Sequence, residues 1–124
     1  MSEFLTFDEL IAIHHRLIEE FGGSHDLIDV GDLESALMRP QTGYYQDIIE
    51  EAVALMQSLA MNHPFLDGNK RVAFFATDAF LRLNGYYIEC DNDEAYRYFI
   101  SLFETNAFRF DNLVAWLRSR VKPL

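Results

Sequence analysis

Two stretches of the chain, about Gln46 to Asn62 and Asn69 to Leu83, spread apolar residues over so much of a helix that little room is left for a solvent face. In the first, Ile48, Ile49, Ala52, Val53, Leu55, Met56, Leu59 and Ala60 make a surface wider than one amphipathic stripe, and only the face carrying the acidic pair of "IIEEAV" is expected to touch water. In the second, Val72, Ala73, Phe74, Phe75, Ala76, Ala79, Phe80 and Leu83 cover most of the circumference before Asn84-Gly85 closes the helix. Both must be wrapped by other helices, with the first at the centre. Only "HPFLDG", residues 63–68, lies between them, and its Pro64 and Gly68 break helical continuity.

Four further helical segments can supply the wrapping. "TFDEL" sets Thr6 three residues before Glu9, the spacing of a capping box, and Phe7, Leu10, Ile11, His14, Leu17, Ile18 and Phe21 follow in helical period until Gly22-Gly23. "DVGDLESALMRPQ" holds a short helix capped by Asp29 or Asp32 and stopped near Pro40. "DNDEAYRYFISLFE" opens on Asp91 and Glu94 at capping spacing, and "DNLVAWLRSRV" opens at Asp111. "YYIEC" reads as a short extended piece, one edge of a hairpin whose partner is not visible in the sequence. The expected fold is all-α: about six helices in a single domain, residues 1–124, with that one extended segment.

Composition narrows the function. Half of the residues are hydrophobic and 15% are aromatic, too apolar for a disordered chain. The net charge of -10 is opposite in sign to a surface that neutralises nucleic-acid phosphates, so direct nucleic-acid binding is not expected. Cations nevertheless outnumber carboxylates from Asn62 to Arg82, where Lys70, Arg71 and Arg82 face Asp67 and Asp78. The lone cysteine, Cys90, has no cation beside it to activate a thiolate and reads as structural. No apolar run approaches the ~18 residues of a membrane span, and the opening residues lack the pattern of a signal peptide, so a soluble cytoplasmic protein is expected.

The chemistry collects at the break between the two apolar helices. From His63 to Arg71, nine residues bring together an imidazole, a carboxylate, a glycine, an amide and two adjacent cations. Asn69, Lys70 and Arg71 form the first turn of the second helix, whose free N–H groups and dipole make an anion cradle that Gly68 lets a ligand approach closely. A carboxylate beside a held phosphate suits Mg²⁺, which makes Asp67 the natural metal ligand, and an imidazole can accept the proton of an attacking hydroxyl. Group transfer from a nucleotide follows. The bland alternative is a solvated joint in which Asn69 only caps a helix and His63 is a hydrogen-bonded core residue; Phe65 reads as a packing anchor in either case.

"HPFLDGNKR" resembles the signature of the Fic/Doc (Fido) superfamily, whose general pattern is His-x-Phe-x-Asp/Glu-Gly-Asn-Gly-Arg. "LESALMRPQ" and "AFLRLNGY" resemble the segments that flank it in the death-on-curing (Doc) branch, the toxins of type II toxin–antitoxin systems, so that the resemblance spans about residues 5 to 120. It implies the compact helical Fic fold, His63 as general base toward a protein hydroxyl, Asp67 as Mg²⁺ ligand, and Gly68, Asn69, Lys70 and Arg71 around the phosphates of ATP, with Lys70 and Arg71 also taking part in catalysis. It further implies threonine phosphorylation of elongation factor Tu, arrest of translation, and a Phd-like antitoxin whose C-terminal segment folds into a groove on the toxin.

Two departures from the broad pattern bear on what is transferred. Lys70 stands where that pattern has its second glycine, and Phe74 where it has a later arginine. The lysine fills space that the AMP-transferring members leave open, and in the Doc branch, which shares it, the nucleotide is reversed, with the γ-phosphate at the reaction centre. A phosphotransferase is the leading expectation; an AMP transferase and a non-catalytic Fic-fold binding module are the alternatives. No Glu is followed by Gly or Asn, so the inhibitory Ser/Thr-x-x-x-Glu-Gly/Asn helix of some Fic proteins is absent and restraint in trans is expected. A metal hydrolase fails on spacing: His14 and His15 are adjacent, His25 and His63 distant, and no His-Glu-x-x-His occurs. His14 is expected in the core, His15 and His25 at the surface, Trp116 in the core rather than under a nucleotide, and Tyr44 and Tyr45 are the candidates for a base pocket.

Overall fold

A computed structural model describes residues 2–124, the side chain of Asn92 excepted. Six helices follow in order: α1 (Phe7–Phe21), α2 (Val30–Met38), α3 (Ile48–Asn62), α4 (Asn69–Leu83), α5 (Asn92–Glu104) and α6 (Phe110–Arg120). A 3-10 turn, Arg39–Gln41, prolongs α2 through Pro40, which sits where a missing N–H costs no helical bond. The fold is all-α apart from two short strands, β1 (Tyr86–Ile88) and β2 (Val121–Pro123), which pair antiparallel with Tyr87 opposite Lys122. Strand β2 is the partner that "YYIEC" required. Among the described residues no helix is long and apolar enough to cross a membrane.

Helix α3 is the axis of the molecule. It packs on α4, α2, the 3-10 turn and α6, and the consecutive residues Ala52, Val53 and Ala54 are all at 0% exposure, which requires neighbours on every side at that level. Helix α4 departs from its expected surface in detail: Thr77 and Leu81 are fully buried, while Leu83 is exposed. The Thr77 hydroxyl donates to the carbonyl of Ala73 at 2.7 Å, which removes the cost of burying it.

The caps explain where the helices start. Thr6 and Glu9 form the reciprocal box, the Glu9 N–H donating to Thr6 Oγ1 at 3.1 Å and the Thr6 N–H to Glu9 Oε1 at 2.9 Å. Of the two acids that could cap α2, Asp29 does so, accepting from the Asp32 N–H at 2.9 Å. Asp91 caps α5 by accepting from Asp93 and Glu94. Helix α6 begins one residue earlier than expected, at Phe110 behind Arg109, so Asp111 lies in its first turn and favours the helix dipole instead of capping. Cys90 and Trp116 are both half-buried against the core, as their structural readings required.

Candidate active site

The joint between α3 and α4 is fastened from three directions. The segment after α1 lies antiparallel to it: Leu27 bridges Phe65, the N–H groups of Ile28 and Asp29 donate to the Pro64 carbonyl at 2.9 and 3.1 Å, and the Leu66 N–H donates to Asp26 at 3.0 Å. Phe65 is 1% exposed and anchors the joint in the core. Asn69 does not cap α4. Its side chain turns back onto Phe65, accepting from the Phe65 N–H at 3.0 Å and donating to the Phe65 carbonyl at 2.8 Å. One buried amide thus satisfies both backbone groups of the anchor residue, its oxygen accepting and its nitrogen donating side by side.

With glycine, Gly68, at the N-cap and Asn69 engaged on Phe65, no side chain among the described residues caps the first turn of α4. Gly68 takes a left-handed conformation (φ 80°, ψ 14°) immediately before the right-handed helix, whose first turn starts with N–H groups that such a helix end offers to an anion. A Cβ at Gly68 would lie 3.3 Å from Ile18 Cδ1, a second reason for glycine here. Asp67 is exposed, and its Oδ2 accepts from the Ser24 N–H at 2.8 Å. Among the described residues Oδ1 has no partner, so one carboxylate oxygen is free for a ligand.

His63 ends α3 in the left-handed region (φ 53°, ψ 55°), a conformation that costs a non-glycine residue roughly 1–2 kcal/mol. His63 is exposed, contrary to the core reading, and it lines one cleft of about 290 Å³ with Leu66, Asp67, Gly68, Asn69, Lys70, Arg71 and Tyr96. The six signature residues given a chemical role by the sequence, His63, Asp67, Gly68, Asn69, Lys70 and Arg71, are therefore all in that cleft. A larger, apolar hollow of about 650 Å³ between Phe4–Phe7 and α2 has, among the described residues, Glu34 as its one ionisable side chain.

Both cations rest on aromatic faces. Lys70 Nζ is 4.7 Å from the Phe103 ring centre, and the Arg71 guanidinium lies between Phe21, at 3.9 Å, and Tyr96, at 4.6 Å. Phe21, Tyr96 and Phe103 were not singled out from the sequence; the one local signal was the seven-residue interval from Tyr96 to Phe103, which puts both on one face of α5. Arg82, counted with these cations in the sequence, pairs instead with Asp78 at 2.8 Å near the far end of α4. Phe74 is 1% exposed and packs edge-on against Tyr96 and Phe99, so the later arginine of the broad Fic pattern is replaced by core. Tyr44 and Tyr45 lie beside Arg39 and Phe110 and do not line the cleft.

His14 underlies the site. It is 2% exposed, stacks on Phe65 with ring centres 3.6 Å apart, and meets the Asp67 backbone carbonyl through Nε2 at 2.8 Å. Burial holds its pKa below the ordinary imidazole value, although the bond to Asp67 opposes that shift.

Comparison with known proteins agrees with the site. The family model described as Fic/DOC matches residues 4–81, which covers α1 to α3, α4 up to its last two residues and the whole His63–Arg71 segment but stops short of the residue 120 that the resemblance suggested. The chain is similar to Toxin Doc of Mycolicibacterium smegmatis, with 45% identity over 98 residues, 75% of this chain and 73% of that protein. It is also similar to Protein kinase doc of Escherichia phage P1, with 35% identity over 82 residues, 63% of this chain and 65% of that protein.

Proposed function

The chain belongs to the Fic/DOC family, and from that membership we propose that it is the toxin of a toxin–antitoxin pair, an enzyme that moves the γ-phosphate of ATP to a serine or threonine hydroxyl of a protein. The names of its relatives, one a toxin and one a protein kinase, support the two halves of that reading. The observation that carries it is the shared cleft, in which an exposed imidazole, a carboxylate with a free oxygen, an uncapped helix start and two cations converge.

In this reading the N–H groups at the start of α4 hold the triphosphate, Gly68 allows its close approach, and Asn69 keeps the rim rigid through Phe65. Asp67 would hold Mg²⁺, which when bound offsets phosphate charge. His63 takes the proton of the acceptor hydroxyl as the oxygen bonds to the γ-phosphorus; the bond from that phosphorus to the β,γ-bridging oxygen breaks, and ADP leaves with the electron pair. Lys70 and Arg71 balance charge on the transferring group. By the resemblance, Lys70 stands where an AMP-transferring site leaves space open, and the position of the later arginine is held by the buried Phe74, so phosphoryl rather than AMP transfer is the reaction that these residues favour.

Elongation factor Tu is the acceptor that family resemblance suggests. A Phd-like antitoxin is the matching partner, and we assign its C-terminal segment to the groove of about 450 Å³ lined by Ile13, Arg16, Leu17, Glu20, Phe21, Phe75 and Asp93, because Phe21 connects that groove directly to Arg71. The test of the activity is intact mass spectrometry of elongation factor Tu after incubation with this protein, ATP and Mg²⁺, beside a His63→Ala control. A gain of roughly 80 Da, absent from the control, is the expected result of phosphoryl transfer; a gain of one AMP would overturn the reading of Lys70.

A further inference from the structure

Outside the cleft, the fold brings together three metal-ligating side chains that the sequence holds apart. His15 and Glu19 are one turn apart on α1 and share a face, while Gly22 and Gly23, at φ 90° and 114°, reverse the chain so that His25 returns to the same place. Glu19 Oε1 is 3.5 Å from His15 Nε2 and 3.1 Å from His25 Nε2, and one donor atom from each of the three residues lies within 4.8 Å of the others. A tetrahedral ion with ligands at about 2.0–2.1 Å sets donor atoms roughly 3.3 Å apart. Two of the three donor separations are within about 0.2 Å of that length, and the two imidazoles, stacked with ring centres 4.3 Å apart, need only splay to bring both nitrogens onto one ion.

We propose that His15, Glu19 and His25 form a binding site for a divalent transition metal ion, Zn²⁺ foremost, with the fourth position open to solvent. Two imidazoles and one carboxylate favour zinc and its neighbours over magnesium and calcium, which prefer oxygen donors throughout. All three side chains are exposed, so an ion enters without displacing core. The site has a structural link to Asp67: Ser24, next to His25, donates its N–H to Asp67 Oδ2, and a Cβ at Gly23 would lie 3.0 Å from Asp67 Cβ. An ion held by His25 fastens the loop that orients this carboxylate. The proposal stands apart from phosphoryl transfer, since it needs neither His63 nor ATP.

The experiment is isothermal titration of Zn²⁺ into the full chain and into His15→Ala, His25→Ala, Glu19→Gln and Asp67→Asn variants, with folding of each verified by circular dichroism. One equivalent is expected to bind to the wild type and to Asp67→Asn alike, and each substitution among the three ligands is expected to weaken binding by roughly tenfold or more. Substitution of Co²⁺ should give the intense visible absorption of a tetrahedral site. Absence of binding, binding that survives the paired loss of His15 and His25, or binding lost in Asp67→Asn would each overturn the assignment.

Discussion

His14 donates its Nε2–H to the backbone carbonyl of Asp67 at 2.8 Å. A carbonyl oxygen can only accept, so the neutral ring must carry its proton on Nε2. The same ring lies parallel to Phe65, at 6° between planes. One buried side chain from α1 therefore sets the positions of both the loop's anchor and its exposed carboxylate.

Replacing that ring removes both functions. His14→Ala is expected to lower stability by about 2–3 kcal/mol, from the cavity under Phe65 and the lost partner of the Asp67 carbonyl. Urea unfolding should show a lower midpoint at an unchanged slope. An unchanged midpoint would mean that the loop is held without His14.

Stability should also depend on pH through His14. Its folded pKa lies below the ordinary 6.5, chiefly through burial, so as pH falls past 6.5 the unfolded chain takes up the proton first and the native state loses stability. The loss continues down to the folded value and then stops, because both states are protonated there. Unfolding midpoints measured at about pH 7.5 and about pH 5.5 should differ more for the wild type than for His14→Gln, which lacks the titrating ring. Equal differences would assign the pH dependence to other groups.

Helix α4 runs from Asn69 to Leu83 as its pattern indicated, because Gly68 and Asn84-Gly85 are strong local punctuation at both ends. His14 was legible for a similar reason, lying on the apolar stripe of α1. What periodicity could not reach was long-range pairing. Ile88 meets Val121 across 33 residues, Arg71 meets Phe21 and Tyr96, and His25 folds back onto Glu19. Asn69 shows the limit most clearly: the bland reading made it a helix cap and the resemblance set it in the anion cradle, where it helps to fix the loop, but only the closed loop reveals that its amide serves Phe65.

That amide can be tested directly. Asn69→Ala leaves the buried N–H and carbonyl of Phe65 without their side-chain partner, at a cost of about 2–4 kcal/mol for the two groups. Asn69→Asp retains an acceptor for the N–H but sets a carboxylate oxygen against the carbonyl, and should be at least as damaging near neutral pH. Thermal unfolding of the two variants gives the comparison. If Asp were tolerated as well as Asn, the bond from Asn69 to the Phe65 carbonyl would carry no weight.

The aromatic seat of Arg71 makes a kinetic prediction, given phosphoryl transfer. Tyr96→Leu keeps much of the packing but removes one of the two faces that hold the guanidinium. Transition-state charge is what Arg71 meets in the proposed reaction, so kcat should fall by about tenfold while KM for ATP changes little. A rise in KM at constant kcat would instead assign Arg71 to ground-state binding.

Lys70 gives the sharpest test of what is transferred. It is exposed in the first turn of α4, with its ammonium over Phe103 rather than in an ion pair, so its removal breaks no salt bridge among the described residues. Lys70→Gly is therefore expected to leave the fold intact, at a helix-propensity cost of about 1 kcal/mol. Phosphoryl transfer should fall by about 10²-fold, the scale for losing one group aimed at developing charge. The opened space should at the same time let the triphosphate lie in the opposite sense, so that mass spectrometry of the acceptor shows AMP in place of phosphate. Loss of phosphate without any AMP would keep Lys70 as a charge-balancing residue but deny it the role of selector; phosphoryl transfer at the wild-type rate would deny it both.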